Sequence, residues 1–417
     1  MRIGFSKTEI TPPIGMELGG YAGYRPCGGV HDPLYCKTVV LEQEDGRYCL
    51  MAFDLLCVDE SLYERLAEAV AELGIARERL IACAIHSHAS AVGLLPGEGP
   101  LAPVNTTIEP GNPEFRDYME QVVQGAAAAC AQAAEGLEPF RVRAARGPLP
   151  AIGSERHTGA VPNEGLTVLE FRTESGKQLV VYNFPCHPTV TNAANLLASA
   201  DFAAGIEEAL GAEMAVFLNG AAGDISTRFT RRESSFAECE RMGRIAAEGI
   251  RKALDGAAFQ EPEPLRGCHG RVRLEARAVE TPEAAQAQLR EYTARWQAAV
   301  DAGAGAAEVR ILKSYVEGAG VNLEFARTME GIREFRVPVT VFRFCGMDFM
   351  TVPGELFSTL RPEGMSVIAY ANGYYRYICD MAAYDAGYYE AMAAIVARGQ
   401  GERLMEKTRE LLGQLGE

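Results

Sequence analysis

Short apolar runs recur along the chain, and each predicts a buried strand. Two of them, within CKTVVLEQEDGRYCLMAFD (36–54), flank a Glu-Asp-Gly turn and predict a hairpin. The other strand-like runs are RLIACAIHSH (79–88), TVLEFRT (167–173), QLVVYNF (178–184), MAVFLNG (214–220), RVPVTVFRF (336–344), MDFMTVP (347–353) and MSVIAYAN (365–372). Strand signals therefore extend over most of the chain.

Apolar positions spaced three and four residues apart predict helices between these strands. Residues 60–75 have an acidic first turn and a glycine near their end, and residues 114–137 have an alanine-rich face suited to close packing on a sheet. Similar patterns cover 233–254 and 281–303, whereas 8–35 is rich in Gly and Pro and predicts a loop-rich lead-in. This mixture predicts an α/β (α+β layered) protein with mixed sheets flanked by helices.

No linker divides the chain, so the sequence predicts one domain over residues 1–417. Residues 276–330 are more polar and mostly helical, and we expect them to form a helical insertion that covers part of one face.

Charge and cysteine usage exclude several classes of protein. The net charge of −16 disfavours binding to nucleic acid, and it weakly favours a neutral or cationic substrate. No run is long enough to span a membrane, and the N-terminus lacks the apolar core of a secretion signal. The eleven cysteines are scattered without a CxxC pair, which predicts free thiols in a reducing cytoplasm.

Polar residues repeatedly follow the ends of the apolar runs. They are Asp54, His86, His88, His187, Asp224, Ser226, Glu355 and Asn372. Ligands bind outside the carboxyl ends of strands in sheets built with helical crossovers, so these residues predict one convergent site at those ends.

The HxH pair is the first chemical signal. On an extended strand His86 and His88 would point to the same side, which suits a metal ligand next to a general base. His86, His187 and Glu355 could supply two nitrogens and an oxygen as the donors of a hydrolytic zinc site. The alternative is a hydrogen-bonded histidine pair without a metal.

The glycine-rich turn NGAAGDIS (219–226) is the second signal, because such turns bring backbone N–H groups close to an anion or oxyanion. Ser226 is either a nucleophile or a residue that holds the substrate, although the GxSxG elbow is missing. The alternative is that Asp224 and Ser226 are cap and turn residues.

Taken in order, the motifs resemble the N-terminal catalytic domain of the neutral, non-lysosomal ceramidase family. They are ITPPIG, GGYAG, VHDPLY, HSHAS, NFPCHPT, SADF, NGAAGDIS, VPGELF, NGYYRY and YYEA. The resemblance implies a zinc-dependent amidase that cleaves N-acyl bonds. It implies four metal ligands, His86, His187, Glu355 and Tyr377. It implies four catalytic residues, His88, Ser226, Tyr389 and Arg156.

Departures from the family pattern bear on the substrate. The family's HTHSGPG is HSHASAVG here, and the β-sandwich and secretion signal of true ceramidases are not in the sequence. We therefore expect a small soluble N-acyl compound or related amide as the substrate, rather than ceramide. Two alternatives stay open: a metal-independent serine hydrolase that uses Ser226, and a non-catalytic binding protein of the same fold.

Overall fold

The structure is a computed structural model that describes residues 1–95, 112–162 and 165–416. Its helices are α1 (Glu60–Val70), α2 (Pro113–Glu135), α3 (Phe202–Leu210), α4 (Phe236–Leu254), α5 (Pro282–Asp301), α6 (Ala306–Thr328), α7 (Met381–Ala386), α8 (Tyr389–Met392) and α9 (Gln400–Gly413). Its strands are β1 (Arg2–Glu9), β2 (Gly29–Val30), β3 (Tyr35–Gln43), β4 (Gly46–Phe53), β5 (Leu80–Ala84), β6 (Glu138–Gly147), β7 (Ser154–Glu155), β8 (Leu166–Thr173), β9 (Gln178–Phe184), β10 (Leu197–Ala198), β11 (Met214–Asn219), β12 (Ile225–Ser226), β13 (Arg266–Glu275), β14 (Glu334–Phe344), β15 (Met347–Thr351), β16 (Glu355–Leu356), β17 (Met365–Ile368) and β18 (Tyr377–Ile378).

Two mixed sheets form the framework. The larger has eight strands in the order β11-β9-β8-β6-β1-β3-β4-β5, and the smaller has four in the order β13-β14-β15-β17. Parallel pairing occurs between β4 and β5, between β9 and β11, and between β15 and β17, whereas the other neighbours in these two sheets are antiparallel. The predicted α/β class with mixed sheets flanked by helices is confirmed.

The two sheets pack face to face between helices. Alternate residues of β9 show the arrangement, since Leu179 and Val181 join a core shared with Phe344 and Phe349 of the small sheet. The neighbouring Tyr182 points the other way, into the core beneath the helices. Helix α2 covers β1 and β3, α4 covers β6, and α9 covers β13 of the small sheet. The order of layers is thus helix, sheet, sheet, helix.

The predicted hairpin and the predicted alanine-rich helix are both present. Strands β3 and β4 pair in antiparallel register up to Gln43 and Gly46. Helix α2 approaches β1 so closely that a Cβ on Gly4 would lie 1.9 Å from the carbonyl oxygen of Ala133. Small residues on both elements therefore allow this contact.

The polar segment 276–330 contains helices α5 and α6, which pack against each other. Helix α6 also contacts α8, which follows the tyrosine-rich motif. Its description as an insertion within one domain stays a prediction. Among the described helices, none combines the length and apolar character needed to cross a membrane.

The parallel pairs position the site. Their carboxyl ends lead into the loops that carry His86, His187 and Glu355, which follow β5, β9 and β15. The edges of the large sheet also meet there, because Asn219 at the end of β11 donates from Nδ2 to the carbonyl oxygen of Ile85. Residues distant in sequence are thereby brought to one place.

Candidate active site

His86 follows strand β5 in a left-handed conformation, with φ of 68°. The expectation that His86 and His88 share one face of an extended strand is therefore wrong, because the strand ends at Ala84 and the chain turns. The Nδ1 atom of His86 lies 2.7 Å from the carbonyl oxygen of Leu56. A carbonyl only accepts hydrogen bonds, so in the neutral form of the ring Nδ1 carries the proton and Nε2 is the acceptor.

His187 is fixed in the same way. Its Nδ1 lies 3.1 Å from the carbonyl oxygen of Ile225, and its Nε2 lies 3.0 Å from Oε2 of Glu355. The same carboxylate oxygen lies 3.5 Å from Nε2 of His86. The side chains of all three residues are at most 4% exposed.

These three acceptor atoms fit a divalent cation. Bare imidazole nitrogens and a carboxylate oxygen repel one another unless a cation or a proton lies between them. Neighbouring ligands of a tetrahedral zinc ion at 2.0–2.1 Å are about 3.3 Å apart, which is close to the separations found here. The backbone carbonyls that fix the two imidazoles are the type of partner that orients metal-binding histidines in proteins.

The electrostatics also suit a metal. Burial, followed by the charge of Arg156, lowers the pKa of His187 to about 4, so its imidazole is neutral at pH 7. Burial by itself would raise the pKa of Glu355, but the adjacent His86 and His187 hold this pKa well below its usual value. Neutral imidazoles and an ionised carboxylate are the forms that bind a metal.

His88 differs from the other two histidines in how it is held. Its Nε2 lies 3.3 Å from Nε2 of His86. One ring nitrogen from each of His86, His88 and His187 lies within 4.8 Å of the other two, so these three residues could also hold a metal ion. Its Nδ1 is buried and has no hydrogen-bond partner among the described residues. Burial and the two neighbouring histidines lower the pKa of His88 well below its usual value. No carbonyl of a described residue fixes its tautomer, so either nitrogen of the neutral His88 ring can carry the proton.

Gly20 makes room for the His88 ring. Its φ is 91°, and a Cβ at this position would lie 2.4 Å from the ring. The ring of Tyr21 packs edge-on against His88 with centroids 4.8 Å apart, and its hydroxyl donates to the carbonyl oxygen of Thr191. The GGYAG motif thus forms the wall behind His88.

Tyrosines surround Glu355. Tyr374 donates its hydroxyl to Oε1 of Glu355 at 2.6 Å and so orients the carboxylate. Tyr377 is the direct partner of Glu355 in the pairing of β16 with β18, and its hydroxyl accepts from Nη1 of Arg156 at 3.4 Å. Tyr389 packs edge-on against the Tyr377 ring. The sequence placed several tyrosines here but did not single out Tyr374.

Arg156 lies between Tyr377, the strand partner of Glu355, and Glu390. Its Nη1 contacts the carbonyl oxygen of Gly223 and Oε1 of Glu390, both at 3.2 Å, while its buried Nε has no partner among the described residues. Glu390 also lies 3.3 Å from Nε2 of His157, whose ring stacks on Tyr388. His157 lies outside the recognised motifs, and Glu390 lies within YYEA but was not singled out from the sequence.

Comparisons with known proteins identify the fold. No protein-family model matches the sequence, and a search of curated proteins finds no match. Among solved structures, the neutral ceramidase from Pseudomonas aeruginosa matches with a TM-score of 0.74 at 15% identity, over 98% of this chain and 73% of that one. A ceramidase complexed with C2 matches with a TM-score of 0.72 at 14% identity, over 98% of this chain and 74% of that one. The chain has the neutral ceramidase fold. The resemblance seen in the motifs is thereby confirmed at the level of the fold.

The glycine-rich turn (219–226) has a structural role, because two of its backbone amides are hydrogen-bonded within the protein. The N–H groups of Gly220 and Gly223 donate to the carbonyl oxygens of Phe184 and Leu356. A Cβ on Gly223 would lie 2.7 Å from the carbonyl oxygen of Glu355. These two amides are therefore not available to an oxyanion, and Gly223 instead lets the turn approach the loop that carries Glu355.

Asp224 and Ser226 belong to the same turn. Asp224 accepts from the backbone N–H and the hydroxyl of Ser358, both at 2.7 Å, and this agrees with the interpretation of Asp224 as a cap. Ser226 lies next to His187 through a backbone bridge, and its hydroxyl accepts from the N–H of Arg228 at 3.4 Å. Within the described part of the chain, no imidazole is hydrogen-bonded to the Ser226 hydroxyl. The serine-nucleophile alternative thus lacks its base.

Two other polar residues at strand ends have structural contacts. Asp54 accepts from the N–H of Tyr35 and lies 3.8 Å from the Lys37 ammonium group. Asn372 accepts from the N–H of Ala82 through Oδ1 and so ties β5 to the segment after β17. Both support the loops of the site through these contacts.

Proposed function

We propose that this protein is a zinc-dependent hydrolase that cleaves the carbon–nitrogen bond of an N-acyl amide. The observation that carries the proposal is the convergence of three acceptor atoms, Nε2 of His86, Nε2 of His187 and Oε2 of Glu355. The neutral ceramidase fold agrees with an amide as the substrate.

His86, His187 and Glu355 would hold the zinc ion, with Tyr377 as a further ligand from the adjacent strand. A zinc ion bound there supplies Lewis acidity, which polarises the scissile carbonyl and makes water a better nucleophile. The metal's identity rests on the donor set of neutral imidazole and anionic oxygen, which zinc favours.

The residues around the ligands would carry out the proton and charge steps. His88 accepts a proton from the attacking water and delivers it to the departing nitrogen. A carbon–oxygen bond forms, the carbon–nitrogen bond breaks, and the products are a carboxylic acid and an amine. Arg156, through its unpartnered Nε, and Tyr389, through its hydroxyl, would donate to the oxyanion.

We propose a small polar amide as the substrate rather than ceramide. The support is the Arg156 guanidinium, which lies inside the site beside Tyr377 and is poorly suited to a purely hydrocarbon surrounding. We also propose that the protein acts in a reducing compartment such as the cytoplasm. All eleven cysteines have free thiols, although the sulfurs of Cys49 and Cys130 are only 3.7 Å apart.

The test is hydrolysis of a panel of N-acyl amides by the purified protein, measured by release of the amine. We expect turnover of at least one amide, its loss after treatment with a chelator, and its recovery when zinc is added back. Turnover that survives complete removal of metal would contradict the proposal and favour Ser226. Absence of turnover from the zinc-loaded protein across amides of varied acyl length and charge would also contradict it.

A further inference from the structure

Arg228 lies in the turn that follows β12, two residues beyond Ser226, whose backbone is bridged to that of His187. The charges of Arg156, Glu390 and Tyr377 act on its guanidinium. Its side chain is exposed, and it forms no hydrogen bond or ion pair with any described residue. Arginines beside an active site are usually held by a carboxylate or by backbone carbonyls, as Arg156 is here. An unpaired guanidinium is therefore available to a molecule that enters the site.

The surroundings of Arg228 are unfavourable to its charge. Partial burial, followed by the charges of Arg156 and Arg310, lowers the pKa of the Arg228 guanidinium, although arginine stays protonated in proteins. Glu390 is the acidic group nearby, and its carboxylate already contacts Arg156 and His157. An anion bound at Arg228 would relieve the repulsion between the guanidinium groups.

Two more arginines bring positive charge to the wall of the site that lies behind His88. Arg25 donates to the carbonyl oxygens of Gly19 and His88, and Arg231 donates to the carbonyl oxygen of Thr189. Carbonyl oxygens carry no net charge, so these contacts do not neutralise either guanidinium, although the carboxylate of Glu17 also acts on the charge of Arg25.

The charges of Arg25 and Arg231, together with that of Arg156, also act on the Tyr21 hydroxyl next to His88. The acidic group at this position, Asp201, is held by the backbone N–H groups of Val190 and Thr191. The acidic groups of the site thus each have contacts of their own: Glu355 with His86 and His187, Glu390 with Arg156 and His157, and Asp201 with backbone amides. The Arg228 side chain, by contrast, has no partner among the described residues. The net charge of −16 favoured a neutral or cationic substrate, whereas this unpaired guanidinium favours an anionic one.

We propose that Arg228 determines substrate specificity by binding a carboxylate on the amide, so that the preferred substrates are anionic N-acyl compounds such as N-acyl amino acids. The planar guanidinium can donate two parallel hydrogen bonds to a carboxylate. This inference rests on the proposed function, because it assigns the substrate class of the same hydrolytic site. The reaction is unchanged: water adds to the acyl carbon, and the amine, here bearing the carboxylate, departs.

The experiment compares an N-acylglycine, which carries a carboxylate, with the corresponding N-acylglycinamide, in which a neutral amide replaces that carboxylate. We expect kcat/KM of the wild-type protein to favour the carboxylate about 10- to 100-fold, as a charge-assisted hydrogen bond would produce. In Arg228→Gln we expect the ratio of the two values to fall toward one, and in Arg228→Lys to fall partly. The matched control is Arg232→Gln, which removes an exposed arginine whose charge acts on Glu238.

Binding of both compounds, measured by calorimetry on the same proteins, separates this inference from the proposed function. Turnover of both amides without preference, or an equal change of the ratio in Arg228→Gln and Arg232→Gln, would overturn the role of Arg228 and leave the hydrolase intact. No turnover, together with tighter binding of the carboxylate that is lost in Arg228→Gln, would support the anion site and count against the hydrolase. No turnover and equal binding would overturn both.

Discussion

The inner part and the rim of the site are held in different ways. In the inner part, the imidazoles of His86 and His187 are fixed by backbone carbonyls, and the Glu355 carboxylate is fixed by the Tyr374 hydroxyl. The two imidazoles are thus positioned by main-chain atoms of Leu56 and Ile225, and the carboxylate by one buried tyrosine. A group of donor atoms held in this way could bind a metal ion without rearrangement.

The rim is built from side chains that contact one another. Arg156 contacts Glu390, Glu390 lies beside His157, and His157 stacks on Tyr388, whereas Arg228 has no partner among the described residues. Under the proposed function, we expect the inner part to hold the metal and the rim to contact the rest of the substrate.

The largest effect should separate two glutamates, one from each region. In Glu355→Gln a ligand carboxylate is lost, so we expect zinc to bind more than about 100-fold more weakly, a larger loss than outer-shell changes produce. Glu390→Gln should retain zinc, because Glu390 contacts Arg156 and His157 rather than the donor atoms. Zinc affinity measured by competition with a chromophoric chelator checks this pair. The comparison fails if Glu390→Gln loses zinc while Glu355→Gln retains it.

His88 lies at the boundary between the two regions, and its substitution sharpens the comparison. As a general acid and base it should contribute about 10²- to 10⁴-fold to turnover, so we expect His88→Ala to lose this factor and to keep its zinc. Its unpartnered Nδ1 supports this role. The measurement is kcat together with metal content on the same sample. Loss of zinc from His88→Ala would instead make His88 a third nitrogen ligand.

Ser226→Ala should have the smallest effect. The Ser226 hydroxyl accepts one long hydrogen bond, from the backbone N–H of Arg228. Loss of such a neutral hydrogen bond changes rates by about tenfold or less. A serine nucleophile predicts complete loss of turnover instead. Single-turnover measurements with the amide identified in the panel distinguish the two, and inactivity of a zinc-loaded Ser226→Ala protein would revive the serine mechanism.

The fold was predictable where strands are buried on both faces. QLVVYNF (β9) is recognisable as a strand because its residues face two cores and therefore form a continuous apolar run. In β6, by contrast, the buried Phe140 and Val142 alternate with Arg141 and Arg143. Such a half-buried strand lacks a continuous apolar run, and β1, β6 and β13 were therefore not predicted. Helix α3 is short and was not predicted either.

The sequence predicts those site residues that follow an apolar run or fall in a recognised motif, and it does not predict the others. His187 and Glu355 follow apolar runs, so their convergence could be expected. Which tyrosine of NGYYRY touches Glu355 depends on the backbone, since Asn372 and Arg376 have φ of 60° and 53°. Asn372, which precedes a glycine, is of a type that often adopts the left-handed conformation, but no signal marks Arg376, and Tyr374 was missed for this reason. Arg228 was missed because only the fold shows that its side chain has no partner among the described residues.

Metal content, determined by mass spectrometry on the purified, untagged protein, tests the central claim most directly. We predict about one zinc ion per chain in the wild-type protein. The control variant His31→Ala should bind the same amount, because His31 lies beside Asp32 and is not part of the group formed by His86, His88 and His187. We predict almost none in His187→Ala, which loses one of the three converging donors. A wild-type protein that binds no metal even after incubation with zinc would contradict the account, as would full zinc occupancy in His187→Ala.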